Sequence, residues 1–127
     1  MIVAHYKETK LEPQVRAMFT GGVSSAAIGD AVDGNSHMNL VKFEAGGRTK
    51  WHTHPFAQAL ICVEGKGIVA TEEKENIFEP GDVIIIPQGL KHWHGGTDTT
   101  SMAHVNVNGN GEAEILEAVD KIRTQNA

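Results

Sequence analysis

The chain has 127 residues, the size of one ordinary domain, and 40% of them are hydrophobic against 21% charged, which excludes a disordered polypeptide. Its formal net charge is −5 with no basic stripe, which excludes nucleic acid as an expected partner and gives no support for docking on an anionic membrane surface. The 14 glycines favour many tight turns and an all-β reading.

Taken in order, residues 1–10 have mixed short-strand character, and Leu11 to Phe19 shows a weak helix-like or irregular apolar spacing. Thr20-Gly21-Gly22 breaks the chain, and Val23 to Ile28 predicts a strand. Gly29-Asp30 and Asp33-Gly34-Asn35 signal turns. Met38 to Phe43 reads as a strand with Asn39, Val41 and Phe43 on one face; Arg48 to His54 is the next, and Pro55-Phe56 makes a corner. Gln58 to Val63, Ile68 to Thr71 and Asn76 to Phe78 follow as strands, the last two around an exposed turn at 72–75. Glu79-Pro80-Gly81-Asp82 turns into Val83-Ile84-Ile85-Ile86, apolar on both faces and so expected to be covered on both sides. Lys91 to His94 is a short strand, and Ser101 to Asn108 sets His104, Asn106 and Asn108 against Val105 and Val107. Glu112 to Arg123 carries Ile115, Leu116, Val119 and Ile122 at helical spacing, acidic residues first and basic residues last, which predicts a C-terminal α-helix. Thr124 to Ala127 is expected to fray. Many short strands and one helix, without linker or repeat, predict a single β-sandwich or barrel domain over residues 1–127.

Cys62 is the sole cysteine, so no internal disulfide forms and a reducing compartment is expected. In the run Ala59 to Val63 it reads as a small core residue. The first residues lack a long apolar region or a cleavage-like site, and no segment reaches membrane-spanning length. A cytoplasmic location is the expectation.

The chemistry centres on Trp51-His52-Thr53-His54-Pro55-Phe56-Ala57-Gln58. On an extended segment His52 and His54 leave the same face. With Gln58 and His92 they offer three neutral imidazoles and an amide oxygen, a donor set for a divalent metal. Two glycine-punctuated blocks contain these residues. The first is Gly46, five residues, His52-Thr53-His54, three residues, Gln58, six residues, Gly65; the second is Gly81, five residues, Pro87-Gln88-Gly89, two residues, His92. His94 shares the face of His92. Trp51 and Trp93 alternate away from the histidines and read as packing residues. Arg48 and Lys50 read as a solvated face, and His5 and His37 carry no spacing argument.

The two blocks resemble the paired motifs of the cupin superfamily, small jelly-roll barrels that hold a metal, over residues 39–108. That resemblance implies an all-β cupin jelly-roll barrel or sandwich, closed here by the C-terminal helix over about 112–123. It implies His52, His54, Gln58 and His92 as metal ligands. Gln58 replaces the family's usual glutamate, and Gly96 the asparagine that usually ends the second block. Without the glutamate the metal keeps its full charge and is the stronger Lewis acid, better suited to an enolate, alkoxide, carboxylate or cyanide.

A closer resemblance is to the bacterial manganese-dependent hydroxynitrile lyases of this superfamily, which cleave a cyanohydrin to an aldehyde and cyanide. It lies in Gly47 to Pro55, Gln58, Pro80-Gly81-Asp82, Lys91 to Gly95, Thr99 to His104 and, faintly, Phe19-Thr20-Gly21. It implies His94 and His104 beside the metal, one or the other as general base with a near-ordinary pKa. It also implies Asn108, where that group has a longer amide, as a catalytic contact, and Asn39 and Val41 as pocket wall. The expected cofactor is a divalent ion, manganese first, with Fe, Zn, Ni, Co or Cu as alternatives. The expected partners are a small carbonyl or hydroxyl compound and a second copy of the chain, the outer face of 83–86 being a dimer surface. A sugar- or uronate-processing isomerase, a metal-dependent dioxygenase and a non-catalytic ligand-binding module are the competing readings.

Overall fold

A computed structural model describes residues 1–29 and 36–124. The predicted turns at Gly29-Asp30 and Asp33-Gly34-Asn35, and the frayed end past Thr124, lie wholly or partly outside the described residues. After a single 3-10 turn at Tyr6–Glu8 the elements are β1 (Glu12–Pro13), β2 (Phe19–Thr20), β3 (Val23–Ile28), β4 (His37–Phe43), β5 (Arg48–Thr49), β6 (His52–Thr53), β7 (Gln58–Gly65), β8 (Gly67–Thr71), β9 (Glu75–Phe78), β10 (Val83–Ile86), β11 (His92–Gly96), β12 (Met102–Asn108) and β13 (Glu114–Ile115). One sheet runs β1-β3-β4-β12-β7-β10; the other runs β13-β6-β11-β5-β2, with β8 pairing both β11 and β9. Every pairing is antiparallel.

The core between the sheets is Val41, Phe43, Leu60, Val69, Phe78, Ile86 and Met102, each buried. Alternation along the strands puts these inward. On β12 the inward positions are His104 and Asn106, both buried, so polar groups share the interior with the apolar core. The register of β12 on β7 slips between Ala103 and His104, a bulge that sets His104 opposite Cys62. Gly65 makes the β7–β8 turn at φ 80°. A Cβ there would collide with the Ser101 carbonyl, so this motif glycine is required by both conformation and space.

Two expectations are corrected. Residues 112–123 form no α-helix, and no α-helix occurs among the described residues. The segment is extended along the sheet edge, where β13 pairs with β6. The Trp51 N–H donates to the Glu117 carbonyl at 2.9 Å and the Leu116 N–H to the Trp51 carbonyl at 2.8 Å. It then crosses the outside of the second sheet, burying Ile122 against Ile68, Ala70 and Trp93, with Val119, Trp51 and Ile77 alongside. A lone helix of about 12 residues is marginal in water. Backbone pairing plus burial of Ile122 and partial burial of Leu116 and Val119 wins here, while Ile115 is left exposed. The charges that suited a helix dipole instead make tertiary bonds: Glu117 with Lys91, and Arg123 with Glu75 and the carbonyls of Thr71 and Glu72.

The second correction concerns β10. Among the described residues it is an edge strand paired only to β7. Ile86 and Ile84 turn into the core, whereas Val83 and Ile85 are 58% and 61% exposed. Within one chain the run is covered on one face only. The weak helical spacing of 11–19 also yields no helix; the segment holds β1, a turn and the start of β2.

Candidate metal centre and its cavity

His52 on β6 and His92 on β11 are direct cross-strand partners. His54 follows β6, and its carbonyl accepts the Gly89 N–H at 3.0 Å, which ties the first sequence block to the second. One donor atom from each of the three imidazoles lies within 4.8 Å of the others. All three rings are buried. The backbone fixes their tautomers. Carbonyls can only accept, so Nδ1–H of His52 donates to Lys50 O (2.8 Å) and Nδ1–H of His92 to Leu90 O (2.9 Å). His54 Nδ1 faces Phe56 O at 3.4 Å, and its ring stacks on Phe56. Each imidazole therefore presents an unprotonated Nε2. Those of His54 and His92 are buried with no hydrogen-bond partner among the described residues.

Gln58 opens β7 in the facing sheet, so the loop through Pro55 carries the chain from one sheet to the other. Its Nε2 donates to Asn108 Oδ1 at 2.8 Å. Its Oε1 is buried and unpartnered. A buried acceptor without a donor costs ~1–3 kcal/mol, and here the unpartnered Nε2 atoms of His54 and His92 belong to one tight cluster of imidazoles whose cavity Gln58 also lines. A divalent cation satisfies them together, and the donor set fits such an ion.

Burial keeps these imidazoles neutral, as metal ligation requires. It lowers His52 to about 4 and His92 to about 3, the latter helped by repulsion from His52, and it lowers His54 as well.

His94 lies two positions along β11. Its backbone N–H donates to Thr49 Oγ1, its Nδ1 meets His104 Nε2 at 3.0 Å, and its Nε2 is buried without a partner. Burial, and then repulsion from His104 and the other histidines, holds its pKa well below the ordinary value; burial brings His104 to about 4. The expectation of a near-ordinary pKa is corrected accordingly. The two are not equivalent. His94 lines the cavity, whereas His104 sits behind it, fully buried against Phe43 and Phe78.

The cavity has a volume of about 240 Å³, below the usual ligand-pocket range of about 300–1,000 Å³, so its occupant is small. Its floor is His52, His54, Gln58 and His94, and Asn39, Val41, Asn106 and Asn108 form one wall. Asn106 Oδ1 is engaged by the Asn39 N–H. Asn108 is tied to Gln58, and both line the cavity. Arg16, Met18, Phe19 and Phe56 also line it without having been singled out from the sequence as site residues. Only the Phe19-Thr20-Gly21 likeness hinted at them. Arg48 is no solvated rim residue: it lies over Trp93 and pairs with Asp98.

Comparison with known proteins bears on this geometry. Residues 39–116 match the family model described as the cupin domain. The chain is 49% identical over 67 residues to an (R)-mandelonitrile lyase of Granulicella tundricola, covering 51% of this chain and 50% of the lyase. It is 28% identical to the L-ectoine synthase of Halomonas elongata, over 83% of the chain and 79% of that enzyme. The chain therefore spans about half the length of the lyase it matches. Among solved structures, a cupin-like protein of Thermotoga maritima superposes with a TM-score of 0.79 at 32% identity, covering 89% of this chain and 88% of that one. The polyketide cyclase RemF of Streptomyces resistomycificus shares the fold, with a TM-score of 0.76 at 18% identity over 98% of this chain and 89% of its own. No helix is long and apolar enough to cross a membrane among the described residues. By family match, two-sheet architecture and the arrangement of its buried histidines, this chain belongs to the cupins.

Proposed function

We propose that the chain is a metal-dependent lyase acting on a small cyanohydrin-like compound, with manganese as the ion, His52, His54, Gln58 and His92 as its ligands and His94 as the base. The observation that carries this reading is the unpartnered Nε2 of His94, aimed from β11 beside the three ligand imidazoles and backed by His104. The 49% identity to a mandelonitrile lyase over half the chain supports it. A divalent ion in that donor set supplies Lewis acidity that makes a bound hydroxyl easier to deprotonate.

With Nδ1–H of His94 donating to His104 Nε2, the His94 Nε2 lone pair faces the cavity. It takes the hydroxyl proton of the substrate. The O–H electron pair becomes the carbonyl π bond, the carbon–nitrile bond breaks, and cyanide leaves with the electron pair of that broken bond. His94 is now an imidazolium, and its Nδ1–H···Nε2 bond to His104 becomes charge-assisted. The imidazolium returns the proton to cyanide, which completes an aldehyde and hydrogen cyanide. His104 touches no reacting atom and is a positioning residue: it fixes the His94 tautomer. Asn108 orients Gln58 so that the amide oxygen, not the amide nitrogen, faces the ligand point. The exposed pair Val83 and Ile85 on the β10 edge supports association of two copies through that face.

The test is cyanide release from mandelonitrile by manganese-loaded protein. Release that is abolished by a chelator and restored by manganese is expected. No release from the fully loaded protein would remove the lyase reading.

A further inference from the structure

We propose that Arg16 reads a carboxylate at the mouth of the cavity, so that the preferred substrate is a small hydroxy or carbonyl compound that also carries an acid group. This rests on the reading of the cavity as a catalytic site, and it adds the substrate class. Among the described residues Arg16 is the only charged side chain that lines the cavity; the rest of the polar lining is neutral amide, hydroxyl and imidazole. An anion entering it meets no carboxylate on the wall.

The placement of Arg16 is built by the fold. The Phe19 N–H donates to the Arg16 carbonyl at 3.0 Å, closing a turn. Phe19 then pairs with Thr49 and Thr20 with Arg48, and the Lys50 N–H donates to the Met18 carbonyl at 2.7 Å. The turn is thus fastened to the strand that leads into His52. The guanidinium lies over the Phe19 ring, 5.2 Å from its centroid, a cation–π contact that holds an otherwise exposed side chain on the cavity wall.

The other two arginines differ. Arg48 pairs with Asp98 and Arg123 with Glu75. Among the described residues no carboxylate pairs with Arg16. A planar guanidinium left unpaired at a pocket mouth matches a carboxylate in a two-point fork. In a cavity of about 240 Å³ one small molecule can meet both Arg16 and His94.

The experiment is calorimetric titration of the manganese-loaded full chain with 4-formylbenzoate and with benzaldehyde, for wild type, Arg16→Gln and Arg16→Lys. The wild type should bind the carboxylated aldehyde about three- to tenfold more tightly than benzaldehyde at low salt, the span between an exposed ion pair and a charged hydrogen bond. The preference should shrink as ionic strength rises. It should vanish in Arg16→Gln and partly survive in Arg16→Lys. Absence of a preference in wild type, or an undiminished preference in Arg16→Gln, would overturn the assignment; the second result would place the carboxylate on the metal or the asparagines. Binding is read without turnover, so the two readings fail separately. Loss of cyanide release from mandelonitrile removes the lyase reading, whereas loss of the carboxylate preference with cyanide release intact removes only the role of Arg16.

Discussion

β11 and the C-terminal segment meet at one side chain from opposite sides. Trp93 points out of β11, and Ile122 lies on it from outside the sheet. Its neighbours His92 and His94 point the other way, into the cavity region. The same five-residue strand therefore presents buried histidines on one face and a packing contact on the other. The C-terminal segment carries only packing and backbone pairing: β13 completes the edge beside His52, and the rest covers the tryptophan. If that division is right, substitutions on the two faces should separate function from stability.

The largest separation should come from His94→Ala. It removes the proposed base and should lower turnover of mandelonitrile by about a hundredfold or more, while metal content stays at the wild-type level; metal analysis alongside steady-state kinetics checks both. Loss of metal in this variant would mean that His94 is a ligand and that the division within β11 is drawn in the wrong place.

Acid should act on the cavity face next. Burial depresses the folded-state pKa of His104 from 6.5 to about 4. A depressed folded pKa means that the unfolded chain binds the proton more readily. The stability is therefore present above about pH 6.5 and is lost as pH falls through 4. For His104 alone the loss is about 3 kcal/mol by pH 4. His52 and His92 shift the same way in metal-free protein. Urea midpoints of metal-free protein at stepped pH should fall steeply across this window, and a flat profile would contradict the burial of neutral imidazoles.

Ile122→Ala tests the opposite face. Ile122 is 4% exposed, and removing it should cost about 2–4 kcal/mol with metal content and kinetics retained below the melting transition. An unchanged melting temperature would mean that the segment does not cover Trp93 in solution. The smallest effect is expected from Asn108→Ala, which frees the Gln58 amide to turn. Metal affinity should fall by about tenfold, the low end for groups that orient a ligand, and competition with a fluorescent chelator reads it directly. Asn108→Asp keeps the acceptor and should recover most of the loss.

The same two regions explain what could be read from the sequence. The cluster of His52, His54 and His92 was legible because each block encodes its own geometry. His52 and His54 sit on one local extended stretch, the turn glycines fix where each block ends, and the spacing needs no knowledge of distant partners. The C-terminal segment was not legible. An apolar residue every three or four positions fits a helix, and equally an irregular strap that touches a sheet at intervals; the choice is made by Trp51 and Trp93, which lie far away in the chain. The edge position of β10 was not legible for a related reason. Four consecutive apolar residues do not reveal whether their strand is central or at an edge. Arg16 shows neither period nor motif, and its place at the cavity follows from the pairing of β2 with β5.

The central claim, that His52, His54, Gln58 and His92 converge on one divalent ion, is tested most directly by elemental analysis of protein purified without chelator, wild type beside His92→Ala. The account predicts close to one transition-metal ion per wild-type chain and near none in the variant. Full metal content in His92→Ala would contradict it.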